Sequence, residues 1–99
     1  MNKYGLLAQR HWETYRPIEL AQMRDRDRFF AELGEQISYQ VAERSRQLEG
    51  GVQPGEAYVA KVNRLRAARL TAEEQVLSET LPAAEGDQPQ GRSSASMSL

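Results

Sequence analysis

The sequence contains no cysteine and only one histidine, His11. Without cysteine the chain can form no disulfide framework, no thiolate zinc site and no cysteine nucleophile. A single histidine also excludes a histidine-rich metal site, and such a residue on a helix face with aromatic neighbours usually packs or forms a hydrogen bond. The composition therefore predicts no metal site, and it fits the reducing environment of the cytoplasm.

Long apolar runs are absent as well. The chain has no stretch of about 18 consecutive apolar residues, which a membrane-spanning helix requires, and its first residues lack the apolar core of a signal peptide. The 14 acidic residues nearly cancel the 13 basic ones. The overall charge thus favours neither nucleic acid nor a membrane surface as a partner. We expect a cytoplasmic protein that does not bind membranes.

The sequence motifs of common enzymes are also missing. There is no glycine-rich phosphate loop, nucleophile elbow or HExxH helix. The neighbouring acids Glu73 and Glu74, and likewise Asp25 and Asp27, would not face each other on a helix, so neither pair is arranged for acid–base catalysis. We therefore predict a protein that is not an enzyme, with no catalytic, cofactor-binding or metal-binding residues.

Aromatic residues at helical spacing dominate the N-terminal segment. The residues that recur at intervals of three and four are Tyr4, Leu7, His11, Trp12 and Tyr15. This spacing predicts a helix over residues 3–15. Arg16 precedes a proline and should bend the chain, while Pro17 suits the first turn of a short second helix. Either Asp25 or Asp27 then provides the N-cap of a third helix.

The third helix has the clearest pattern. Its apolar stripe consists of Phe30, Leu33, Ile37, Val41 and Leu48. Gly34 interrupts this helix at a cost of about 1 kcal/mol relative to alanine, unless another helix approaches closely there. We interpret Gly34 as such a crossing point. Gly50 and Gly51 supply the glycine stop that is typical of a helix C-terminus.

A fourth helix is predicted after Pro54. Its apolar stripe comprises Tyr58, Val62, Leu65, Ala72 and Val76, and it is widened by Val59, Leu70 and Leu77. A helix of this length needs a partner, and the short connection makes the third helix the obvious one. We therefore predict an all-α fold in which residues 27–49 and 54–80 form an antiparallel helical hairpin, braced by one or two N-terminal helices.

The composition changes near residue 83. Residues 83–99 contain four serines, two glycines and one proline but few large apolar side chains, so they cannot offset the entropy of ordering. We predict one helical domain over residues 1–82 and a disordered tail over residues 83–99.

Two groups of residues are candidates for binding a partner. The first is a basic flank of the two long helices, Arg44, Lys61, Arg64 and Arg69, which could contact phosphates. The second is a set of aromatic anchors, Tyr4, Trp12 and Tyr15. Each has an alternative, which the sequence favours. Glu43, Glu73 and Glu74 could neutralise the flank through ion pairs, and the aromatic residues could pack in the core.

The order of segments between Tyr4 and Leu81 resembles the TnpV-type accessory proteins that mobile elements encode. The matching patches are HWETYRP at residues 11–17, Leu33 with Glu35 and Gln36, Asn63, and AEEQVL at residues 72–77. The serine-rich tail and the loop at residues 50–54 depart from the family pattern. The resemblance implies a small helical protein in a mobile-element or phage setting, and it implies no mechanism.

These observations support one principal hypothesis and one alternative. The principal hypothesis is a small non-enzymatic helical accessory protein that binds or regulates a partner protein of unknown identity, with a homodimer through the long helix left open. The alternative is an accessory factor that binds nucleic acid through the basic flank. The two differ in their response to salt, because binding to phosphates weakens steeply as salt rises.

Overall fold

The computed structural model describes residues 1–82, and this part of the chain contains helices and no strands. The helices are α1 (Lys3–Tyr15), α2 (Pro17–Gln22), α3 (Arg26–Glu49) and α4 (Tyr58–Thr80). The predicted all-α fold is confirmed. The predicted disordered tail, residues 83–99, lies outside the described residues.

Local signals define the first three helices. The Arg16 backbone N–H donates to the Trp12 carbonyl at 2.8 Å, which closes α1, and Pro17 begins α2 as predicted. Of the two candidate caps for α3, Asp25 is the one used, since its side chain accepts from the Arg28 N–H at 3.4 Å. Gly50, with φ of 73°, follows the last residue of α3.

The predicted start of α4 at Pro54 is wrong by four residues, because α4 begins at Tyr58. Gly55 adopts φ of 79°, a left-handed conformation that a right-handed helix does not contain. The Glu56 N–H donates to the Gln53 carbonyl at 3.1 Å, which closes a turn around Pro54 and Gly55. Because of this turn, α4 begins only at Tyr58.

The described chain divides into two compact units. Unit 1 comprises Met1–Gly34 together with Leu81 and Pro82, and unit 2 is Glu35–Thr80. Unit 1 thus contains α1, α2 and the first part of α3. Unit 2 contains the rest of α3 and all of α4.

Unit 1 is built around an aromatic core. The buried residues of this cluster are Ala8, Trp12, Leu20 and Phe30, and Met23, Leu33 and Leu81 pack against them. The Trp12 ring lies 5.5 Å from that of Phe30 at 71°, the edge-on arrangement that aromatic pairs prefer. His11 Nε2 lies 2.7 Å from the Pro82 carbonyl oxygen, so His11 has the hydrogen-bonding role expected of a lone histidine.

In unit 1, α1 and α3 approach closely at two glycines. A Cβ atom placed on Gly34 would lie 2.7 Å from the Gly5 nitrogen, and one on Gly5 would lie 2.7 Å from the Phe30 carbonyl oxygen. Real side chains are not tolerated at such distances from backbone atoms. The interpretation of Gly34 as a crossing point is confirmed, with α1 as the helix that approaches it.

Asn2 connects these two helices through both ends of its amide. Its Oδ1 accepts from the Gly5 N–H at 2.9 Å and caps α1, and its Nδ2 donates to the Gly34 carbonyl at 3.0 Å. We predict that Asn2→Ala costs about 1–2 kcal/mol of stability, because it removes both bonds. Asn2→Asp should lose about half of that stability, since aspartate still caps the helix but cannot donate.

Thermal unfolding followed by Trp12 fluorescence measures both effects. Gln22→Ala, at an exposed position near the end of α2, is the control and should leave the melting temperature unchanged. An Asn2→Asp variant that melts at the same temperature as the parent protein would show that the bond to Gly34 contributes nothing.

Unit 2 pairs α3 and α4 in antiparallel fashion. Its buried residues are Ile37, Val41 and Ser45 of α3 and Ala68, Ala72 and Val76 of α4. Arg44 bonds to Glu79 near the C-terminal end of α4, whereas the backbone carbonyl of Glu49, five residues further along α3, bonds to Arg64 near the N-terminal end of α4. The contacts therefore run in opposite directions along the two helices, as predicted.

Parts of the predicted apolar stripes are not buried. Tyr58 is 79% exposed, since α3 ends opposite Arg64 and the first turn of α4 extends beyond it. Leu48 is 42% exposed, because it lies beside the small side chains of Ala67 and Ala68 in an open groove. The buried part of the contact between α3 and α4 thus lies further from the loop than the sequence pattern indicated.

Candidate functional site

Three of the four residues in the predicted basic flank form ion pairs within unit 2. Arg64 makes two parallel bonds to Glu56, Nε to Oε2 at 2.8 Å and Nη2 to Oε1 at 3.0 Å. Its Nη1 also donates to the Glu49 carbonyl, one of the carbonyls left unpaired at the end of α3. Arg64 therefore fastens the loop at residues 50–57 and caps α3.

Arg44 holds the other end of the helix pair. Its Nη2 donates to Glu79 Oε1 at 2.9 Å, and its Nη1 donates to Glu79 Oε2 at 3.1 Å and to Gln75 at 2.8 Å. The contact is bidentate, which is the strongest geometry available to arginine and carboxylate. Arg44 thus joins α3 to α4.

The remaining residues of the flank are less constrained. Arg69 lies 3.9 Å from Glu73, four residues away, as the neutralised alternative predicted. Lys61 is exposed and lies near Glu56. The structure therefore brings the four cations into unit 2, with three of them paired to carboxylates.

These pairs shift the ionisation of their members. The hydrogen bond from Arg64 is the main reason that the pKa of Glu56 lies below its ordinary value, and burial opposes the shift. The hydrogen bond from Arg44 lowers the pKa of Glu79 in the same way. The pKa values of both arginines are raised by the same hydrogen bonds.

Acidification is expected to weaken these two contacts. Because the folded-state pKa of Glu56 and of Glu79 lies below 4.5, the unfolded chain takes up these protons at higher pH than the folded chain. Their stabilisation is present above about pH 5 and is lost as the pH falls through the lowered pKa values. We predict that the melting temperature falls over this interval, and falls less in the double variant Glu56→Gln, Glu79→Gln.

The matched control is Glu13→Gln, at an exposed position in α1. This variant should keep the full acid-induced decrease. A double variant that loses stability as steeply as the parent protein would show that neither contact contributes to the pH dependence.

The aromatic candidates lie mainly in the core of unit 1. Tyr4 and Trp12 are buried, at 4% and 7% exposure. Their burial contradicts an exposed anchor and agrees with core packing, the alternative that the sequence favoured. Trp12 packs against Phe29 and Phe30 of α3. Tyr15 is half-buried, and its ring lies 4.8 Å from that of His11.

A different surface combines exposed apolar and charged groups. We call it the outer face of α4 and define it by Val59, Asn63, Arg66, Leu70 and Glu74. These residues follow one another at intervals of three and four, so they form a continuous strip along the helix. Val59 is 68% exposed and Leu70 is 57% exposed. The sequence pattern contained these positions, but it assigned Val59 and Leu70 to a widened buried stripe.

The outer face lies away from the buried stripe of the same helix. Ala68, Ala72 and Val76 face α3, and an advance of two residues from Ala68 to Leu70 turns the helix by about 200°. Leu70 therefore cannot belong to the same contact. Arg66 and Glu74, one turn before and one turn after Leu70, form no ion pair within residues 1–82.

A cleft of about 630 Å³ lies beside the loop that precedes α4. Residues 49–56 line it together with Lys61, Arg64 and Leu65. Two of the charged residues that line this cleft, Arg64 and Glu56, are bonded to each other. Their pairing stabilises the loop.

Residues 1–82 contain no group of three or more histidine, cysteine, aspartate or glutamate side chains placed to hold a metal ion. None of the helices in this part of the chain is both long and apolar enough to span a membrane. Comparison with protein families, with curated proteins and with solved structures finds no match to this chain.

Proposed function

We propose that this chain is a small non-enzymatic helical protein that binds a partner protein through the outer face of α4. The observation that carries the proposal is the exposure of Leu70, at 57%, and of Val59, at 68%, on one side of a long helix. Leucine and valine that stay exposed on the same side of a long helix supply the apolar contacts that a protein interface needs at its centre. Charged Arg66 and Glu74 beside them resemble the polar rim that surrounds such apolar contacts.

The ion pairs weigh against the alternative, in which the basic flank binds nucleic acid. A phosphate would have to displace Glu79 from Arg44 or Glu56 from Arg64, and each of these contacts is bidentate. The displaced carboxylate would then remain near the phosphate and repel it. Lys61 alone offers little charge for a polyanion.

The setting that we propose is the cytoplasm of a cell that carries a mobile element or phage. It is supported by the absence of cysteine and by the resemblance of residues 11–17 and 72–77 to TnpV-type accessory proteins. Regulation of another protein of the same element would fit a small chain of this kind.

Photocross-linking in the cells that produce the protein tests this function. Benzoylphenylalanine at position 70 should give protein adducts that persist after nuclease treatment. The matched control is position 39, where Tyr39 is 66% exposed on α3, and it should give none. Adducts to nucleic acid, equal labelling at both positions, or no adducts at position 70 would contradict the proposal.

A further inference from the structure

We infer that the partner of the outer face of α4 is a second copy of this chain, bound antiparallel about a two-fold axis at Leu70. The inference rests on the proposed function, which assigns that face to protein binding. It adds the identity of the partner and the register of the contact.

Charge complementarity identifies the partner. Arg66 and Glu74 lie four residues before and four residues after Leu70, so the three side chains form one ridge of the helix. A two-fold axis at Leu70 places Arg66 opposite the partner's Glu74 and, by symmetry, Glu74 opposite the partner's Arg66. Each unpaired charge of one copy then has an opposite charge on the other copy.

The same ridge excludes a parallel arrangement. In a parallel pair Arg66 would face the partner's Arg66 and Glu74 would face the partner's Glu74, and such like-charge contacts are destabilising. At the centre of the antiparallel pair the two Leu70 side chains pack on each other. Leu70 thereby loses the exposure to water that it has in the single chain.

The contact between the two outer faces, here called the seam, extends from Asn63 to Leu77 of each copy. Asn63 lies seven residues before Leu70 and Leu77 lies seven residues after it. Asn63 of one copy therefore lies opposite Leu77 of the other copy. α4 contains 23 residues and is therefore about 35 Å long, while the seam has few large apolar side chains. Small interfaces of this kind are weak, and we expect a dissociation constant of about 1–100 µM.

Sedimentation equilibrium of the full chain, at concentrations from about 1 to 300 µM, measures the association. Arg66→Glu should weaken it about tenfold or more, because two new glutamates then face the partner's Glu74 residues. Glu74→Arg should weaken it to a similar extent. The double variant Arg66→Glu, Glu74→Arg should restore it, as should an equimolar mixture of the two single variants.

Two controls separate association from folding. All variants should keep the circular dichroism spectrum and melting temperature of the parent protein at low concentration, since positions 66 and 74 are exposed. Tyr39→Ser, which removes an exposed aromatic side chain from α3, should leave the association unchanged.

A chain that stays monomeric over the whole concentration range would overturn the inference. So would a dimer that the single charge reversals do not weaken, or that the double variant does not restore. The cross-linking experiment separates this failure from that of the proposed function. Adducts at position 70 with a different protein would leave the proposed function standing and would refute the second copy as its partner.

Discussion

Ile37→Asp is expected to unfold the helix pair of unit 2 or to make the protein aggregate. Ile37 is completely buried in α3, and Ala72 and Val76 are completely buried in α4 of the same unit. An unpaired carboxylate in such a site costs several kcal/mol, against a total stability of about 5–15 kcal/mol for a typical domain. Circular dichroism at neutral pH should show a large loss of helix.

Gln36→Asp is the matched control for this substitution. Gln36 precedes Ile37 in the same helix and is exposed. The substitution introduces the same residue, aspartate, with its low helix propensity, but it does not bury a charge. This variant should melt within a few degrees of the parent protein. If the two variants melted at the same temperature, Ile37 would not belong to the core.

Leu65→Asp provides a graded comparison. The sequence pattern placed Leu65 and Ile37 equally in the core, but Leu65 is only half-buried. A carboxylate there keeps part of its hydration, and the expected loss of stability is smaller.

Most helix boundaries could be predicted because their signals are local. Pro17 begins α2, Asp25 caps α3, and Gly50 follows α3, and each acts through its own backbone or the next turn. Pro54 was an equally good start signal for α4. It failed because Gly55 adopts a left-handed conformation, a choice that the residue types alone leave open.

The buried side of α4 could be predicted only in part, for a different reason. Apolar residues occur on several sides of this helix, and large ones, such as Val59 and Leu70, are the obvious core candidates. The structure buries Ala72 and Val76 as predicted, adds Ala68 to them, and leaves Val59 and Leu70 exposed. Small side chains let two helices approach closely, so the geometry of the pair, and not the size of the residue, determines which side is covered.

Ion pairs show the same division between local and distant signals. Arg69 and Glu73 are four residues apart, and their contact follows from helix geometry. Arg44 and Glu79 are 35 residues apart, and Arg64 reaches Glu56 across the loop. These contacts depend on the register of α3 against α4, which the spacing of residues along either helix does not determine.

Gly34→Ala is expected to destabilise unit 1, although alanine favours a helix by about 1 kcal/mol over glycine. The added Cβ atom would lie 2.7 Å from the nitrogen and 2.9 Å from the Cα atom of Gly5, and it would also meet the Asn2 side chain. Backbone atoms of Gly5 cannot rotate away, so α1 has to shift. Overpacking of this kind costs about 1–3 kcal/mol, and the shift also weakens the bond from Asn2 to the Gly34 carbonyl.

The expected net effect is a decrease in melting temperature of about 10 °C. Trp12 fluorescence measures it directly, because Trp12 is buried in the same unit. Gly51→Ala is the matched control, since a Cβ atom at Gly51 meets nothing within 4 Å, and it should leave the melting temperature unchanged or raise it slightly. Helix propensity alone predicts the opposite sign for Gly34→Ala. A rise in melting temperature would therefore mean that α1 does not cross α3 at this glycine.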